Sequence, residues 1–243
     1  MGNLIPKNVF DLINNRFSLV LEGISRIEKA SGIRFPIAYV EPSLVVSSGT
    51  NSFDYGILFA RTIPIFSNNS GQIIIQISAP LVAFGLKGTI HAILAHEFLH
   101  YLELVSRISK MNIISDEVSG NLFENIYSDY SRLLEPQSVF DDNTLLQHIT
   151  KRFPSGFRDY KLESKAVELW IEKNLPTSKI TLDSNNVKLT AKTLSNLKIN
   201  STLLKKLEQI QIKNSRVRKK KIYWINSVLL HLPQVLLFLC SDI

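Results

Sequence analysis

Between residues 88 and 102 the chain reads GTIHAILAHEFLHYL, and its only formally charged side chain there is Glu97. A helix that is apolar on every side belongs in a core rather than on a surface. Any polar group it carries must find a partner inside. Three of the five histidines, His91, His96 and His100, fall in this run. His96 and His100 are four residues apart, so a helix projects them from one face, one turn apart. Two imidazoles so placed can bind a single zinc ion at roughly 2.0–2.1 Å each. Glu97 stands beside the first histidine, where its carboxylate can take a proton from water polarised by that ion. The bland alternative is a core helix whose histidines are satisfied by backbone or carboxylate partners, which leaves the buried glutamate without a purpose.

Around this run the periodicity alternates between helix and strand. Residues 9–30 predict an amphipathic helix, with Phe10, Ile13, Phe17, Ile24 and Ile27 at helical spacing and Gly32 as its stop. Short β-type runs follow at residues 37–40, 57–60, 63–66 and 72–78, separated by turn-rich pieces. The apolar helix is expected over residues 86–108. Further helices are expected over 116–134, 141–153, 160–173 and 202–213, with a hairpin over 179–190. No repeat or low-complexity segment is present.

Composition narrows the class. Of 243 residues, 45% are hydrophobic and 20% charged, which excludes disordered and collagen-like chains. Cys240 is the single cysteine, so no intrachain disulfide forms, and a reducing, cytoplasmic setting is expected. No secretory leader is read at the N-terminus, and Pro6 stands where a myristoylation motif wants Ser or Thr. The net charge of +7 is local: five cations lie within residues 216–221, and without them 23 cations face 21 acidic residues. A specific nucleic-acid partner is therefore not expected. Residues 222–240 carry no formal charge, near the length of a membrane span, though Asn226, His231, Pro233 and Gln234 interrupt them. Residues 216–243 are thus read as a basic-apolar tail and a candidate for membrane association.

The H-E-x-x-H segment in its uncharged setting resembles the zincin metallopeptidases. The strand at 72–78, QIIIQIS, precedes it as the edge strand does in that group. The resemblance implies an α+β fold: a small mixed β-sheet, an edge strand over an active-site helix, and a mostly helical C-terminal half. It implies one Zn²⁺ ion, a polypeptide substrate and Glu97 as general base. Ile74, Ile75 and Gln76 would hold that substrate by main-chain pairing. A metzincin is excluded, because Glu103 and Ser106 occupy the places of its glycine and third histidine. Glu163-Ser164-Lys165-Ala166 is similar to the glutamate helix of compact gluzincins of the HtpX-like and ImmA/IrrE-like kinds, with Val167 where those place Asp or Asn.

A third protein ligand is needed to complete such a zinc site. Glu163 is the first candidate, since Ala166, Val167 and Trp170 recur beside it as an apolar stripe. Glu117, followed by Gly120 and Asn121, and Glu124, beside Tyr127 and Ser128, stay open. Tyr160, His148, Arg158 and Tyr127 are candidates for an oxyanion donor. The expected organisation is a metallopeptidase domain over 1–176, a hairpin-and-helix extension over 177–215 and the tail over 216–243. The competing class is a non-catalytic membrane-associated or interaction protein whose histidine helix is degenerate or purely structural.

Overall fold

The apolar run forms helix α3 (Lys87–Lys110), and every side chain from Ile90 to His100 on it is buried. The structure is a computed structural model that describes residues 6–48, 55–67, 70–110, 134–152, 159–181 and 199–230. The N-terminal periodicity forms helix α1 (Lys7–Ser31). It stops at Gly32, whose φ of 63° is open to glycine at little cost and whose N–H donates to the Glu28 carbonyl at 2.8 Å. Val20, Gly23, Ile27 and Ala30 turn inward from α1.

Six strands follow the alternating runs: β1 (Ala38–Glu41), β2 (Leu44–Ser48), β3 (Tyr55–Leu58), β4 (Ala60–Ser67), β5 (Ser70–Ser78) and β6 (Thr177–Thr181). They make two three-stranded sheets, in the orders β1-β5-β4 and β3-β2-β6. In the first sheet β1 runs parallel to β5, pairing Tyr39 with Gln76, and β4 runs antiparallel to β5, pairing Thr62 with Ile75. In the second sheet β2 pairs antiparallel with β3 and parallel with β6. The fold is α+β, as expected, with small sheets of mixed direction.

After β5 the chain makes a short helix α2 (Ala79–Phe84), with Pro80 in its first turn, and then α3. Helices α4 (Pro136–Val139), α5 (Asn143–Arg152), α6 (Tyr160–Ala166) and α7 (Ser201–Leu230) complete the described chain. Helix α6 continues as a π turn over Val167–Ile171, and Asn174, at φ 53°, turns the chain towards β6. Phe98 on α3 stacks on Phe35 at 5.4 Å and lies 6.2 Å from Phe140. Trp170 is fully buried against Phe84 and donates its indole N–H to the Pro176 carbonyl at 2.8 Å. The Arg26 guanidinium grips the Asp142 carboxylate at 2.6 and 2.8 Å and joins α1 to α5.

Several expectations need correction. Strand β5, which carries Ile74, Ile75 and Gln76, is the central strand of its sheet and not an edge. Its main chain is paired with β1 on one side and β4 on the other, so no free strand edge remains at these residues for a substrate. Among the described residues the edges of that sheet are β1 and β4. Strand β2 and helix α2 were not foreseen. The segment read as the first arm of a hairpin at 179–190 starts with β6, whose partner is the distant β2. Helix α7 extends well beyond the helix expected over 202–213. No helix among the described residues is long and apolar enough to cross a membrane. The helix expected over 116–134 lies outside the described residues except for Leu134, as does the tail beyond residue 230.

Close approach of α1 to α3 depends on Gly23. A Cβ there would meet His91 Cδ2 at 2.8 Å and Leu94 Cδ1 at 2.9 Å. His91 cannot yield freely, because its Nε2–H donates to the Leu19 carbonyl at 3.2 Å. Gly23→Val is expected to lower stability by about 1–3 kcal/mol through overpacking. Chemical denaturation checks this: an unchanged midpoint would mean that the two helices are not held at this contact.

Candidate metal centre

The uncharged sequence of α3 puts its motif under cover. His96, Glu97 and His100 are 8%, 5% and 3% exposed. The helical repeat brings the two imidazoles together, with ring centroids 4.5 Å apart and ring planes at 87°. Their Nε2 atoms lie 2.9 Å apart, so one ring donates and the other accepts. One ligand atom each from His96, Glu97 and His100 lies within 4.8 Å of the other two. Among the described residues this is the one such group of three or more His, Cys, Asp or Glu side chains.

Burial sets the protonation of the group. It pushes the His100 imidazole down to about 4 and the His96 imidazole well below its ordinary value, with His100 adding to the effect on His96. Both rings are thus neutral near pH 7, the form in which an imidazole nitrogen can bind a cation. Burial pushes the Glu97 carboxyl up to about 7, against the opposing pull of hydrogen bonds from Thr62. A carboxyl poised near neutrality can both accept and return a proton. Two neutral imidazole nitrogens converging in a buried site suit zinc, and the Glu97 carboxyl beside them stands where it could take a proton from water polarised by the ion. The residues present therefore fit the ion.

Strand β4 supplies a contact that sequence reasoning missed. The Thr62 hydroxyl lies 2.9 Å from Glu97 Oε2 and 3.0 Å from the Glu97 carbonyl oxygen. Thr62 thus stands on the side of β4 turned towards α3. A hydroxyl on the inward side of a strand needs a partner, which is the signal that marks it. Pro64 was a second signal: it lacks an N–H, and within sheets proline is confined to edge strands, first residues or bulges. It marked β4, not β5, as the edge beside the motif.

His91 points to α1 and makes no part of the cluster; burial is the first cause that lowers its imidazole. Glu163 is half-buried in the first turn of α6, beside the buried stripe of Leu162, Ala166 and Trp170, and its carboxylate is not among the grouped side chains. Val167 is exposed. Asp159 caps α6 and lies 3.1 Å from the Thr89 hydroxyl, so α6 begins against the first turn of α3. Thr89 precedes His96 by about 10 Å of helical rise. Glu117, Glu124, Tyr127 and Arg158 lie outside the described residues. Tyr160 is 64% exposed, and His148 packs against Gly88, where a Cβ would sit 2.8 Å from its ring. The buried Gln76 side chain donates to Tyr39 at 2.7 Å and Glu41 at 2.9 Å and receives Arg61. Arg61 alternates with Thr62, so this polar row occupies the sheet face turned away from α3.

Compared with known proteins, the chain matches no family model, no curated protein and no solved structure.

The raised Glu97 carboxyl has a measurable consequence for the metal-free chain. Its contribution to stability is complete below pH 4.5 and is lost as pH rises through about 7. Relative to the parent, Glu97→Gln should therefore gain about 3 kcal/mol between pH 4.5 and pH 8, while the histidines act alike in both chains. Denaturation in the presence of a chelator measures this difference. A difference independent of pH would contradict burial of an ionisable carboxyl at this position.

Proposed function

We propose that the chain is a zinc-dependent peptidase of compact gluzincin type that hydrolyses peptide bonds. The observation that carries this reading is the convergence of two neutral imidazoles and a carboxyl of raised pKa on one buried point. His96 and His100 hold the ion through imidazole nitrogens. A carboxylate supplies the third protein ligand, from among Glu163, Glu117 and Glu124; Glu163 lies outside the group and would have to move to reach the ion. When bound, the ion supplies Lewis acidity that favours deprotonation of water and polarises a carbonyl oxygen. Glu97 receives the proton of the attacking water and passes it to the departing amine, a transfer that its poise near pH 7 suits in both directions. Among the described residues β4 is an edge strand of its sheet, and its Thr62 touches Glu97, which supports an extended peptide laid near that strand.

A second reading has one observation in its favour. The direct contact between the two Nε2 atoms gives one nitrogen of each ring a partner within the helix, as in a helix whose histidines serve packing alone. Metal content separates the two. His96→Ala and His100→Ala should abolish stoichiometric zinc binding, and replacing the third ligand among Glu163, Glu117 and Glu124 by Gln should weaken it by more than about 10-fold. Glu97→Gln should keep zinc and lose at least about 100-fold in turnover of a peptide library. A purified parent chain that takes up no zinc supports the structural reading; a Glu97→Gln variant that cleaves like the parent removes Glu97 as the base.

The cations of α7 support a further part of the proposal. Arg216, Lys219 and Lys220 are exposed, and Lys221 reaches Glu135 at only 3.5 Å. Such a cluster attracts an anionic lipid surface at about 1 kcal/mol per cation. Flotation of the full chain with vesicles containing phosphatidylserine should fall sharply when Lys219, Lys220 and Lys221 are changed to Gln. Equal flotation would remove the electrostatic contribution.

A further inference from the structure

We propose that Thr62 is a positioning residue, whose hydroxyl holds the Glu97 carboxylate from strand β4 and fixes where the base stands. Its catalytic consequence rests on the hydrolytic reading above; the contact itself does not. The terminal torsion of a glutamate is broad and roughly two-fold, so helix α3 by itself leaves the Glu97 oxygens poorly defined. The Thr62 hydroxyl restricts that freedom by bonding Oε2 at 2.9 Å, beside a second hydrogen bond from the Thr62 main chain that any residue at this position would keep. Both side chains are buried, and a hydrogen bond to an ionised carboxylate in a dry site is stronger than one between neutral groups.

The same hydroxyl lies 3.0 Å from the Glu97 main-chain oxygen. A hydroxyl has one proton to give, so the two oxygens share it or take it in turn. Through either acceptor the middle of the motif is tied to one residue of β4. Thr62 is held in turn by its register opposite Ile75 on the central strand. The distance between the sheet's rim and the base is thereby set by covalent and ladder geometry. A displacement of the base by about 1 Å is expected to cost on the order of 100-fold in rate.

Two hydroxyl-free variants, Thr62→Val and Thr62→Ala, and one hydroxyl-retaining variant, Thr62→Ser, test the inference in the full zinc-loaded chain. Thr62→Val and Thr62→Ala should keep the zinc content, lose about 10- to 100-fold in kcat and leave KM within about two-fold. Thr62→Ser should recover most of the loss. A second readout needs no turnover. The infrared difference between a chain and its Glu97→Gln counterpart, taken at pH 9, isolates the Glu97 carboxylate stretch. That band should shift in the Val and Ala backgrounds and stay in place in the Ser background. If it stays in place without the hydroxyl, or if Thr62→Ser behaves as Thr62→Val does, the inference is overturned. If no chain cleaves peptide but the band shifts as described, the hydrolytic reading fails and the hold of Thr62 on Glu97 stands.

Discussion

Three titratable side chains occupy barely more than one turn of α3, and all three are out of water. Their removal from water governs them. It strips charge from His96 and His100 and draws a proton towards Glu97. Partners are then required for groups that solvent would otherwise satisfy. The rings find each other and the carboxylate finds Thr62. The opposite face of α3 is anchored in the core: α1 lies close because Gly23 has no side chain, and Phe98 packs towards Phe35 and Phe140. The cluster and its covering depend on each other, since a wet site would need neither the pairing nor the shifted protonation.

How much of this was legible depended on how far apart in sequence the causes lie. The core helix was readable because its evidence is local: fifteen residues with one charge, and two histidines at the helical repeat. The stop of α1 was readable for the same reason, because Gly32 supplies the left-handed conformation itself. The order of strands was not local. The run QIIIQIS reads equally well as an edge or a centre, since side-chain alternation says nothing about how many neighbours the main chain has. Pro64 in the preceding strand was the residue that bore on the question, through the donor it lacks.

Two other departures have different physical origins. The helix expected over 202–213 was stopped short of the run of cations, but Arg and Lys are good helix formers. Helix α7 accordingly carries its cations without interruption from the part that packs by Leu207 and Ile210. Glu163 was singled out from apolar neighbours at helical spacing. In the structure the stripe is formed by Leu162, Ala166 and Trp170, with Val167 turned outward, so Glu163 lies at its margin. A seven-residue helix that tightens into a π turn leaves little room to infer from spacing alone which flank a carboxylate takes.

The rim strand β4 also bears on how such a chain avoids its own kind. An open strand is a template for endless stacking of identical chains, and natural proteins blunt such rims with proline, charge or bulges. Pro64 sits in the middle of β4 and breaks the row of donors. A short visitor, pairing on one side of that gap, loses little by it; a long ribbon of copies would meet the gap in every layer. The same residue thus limits how far identical chains could stack along this rim.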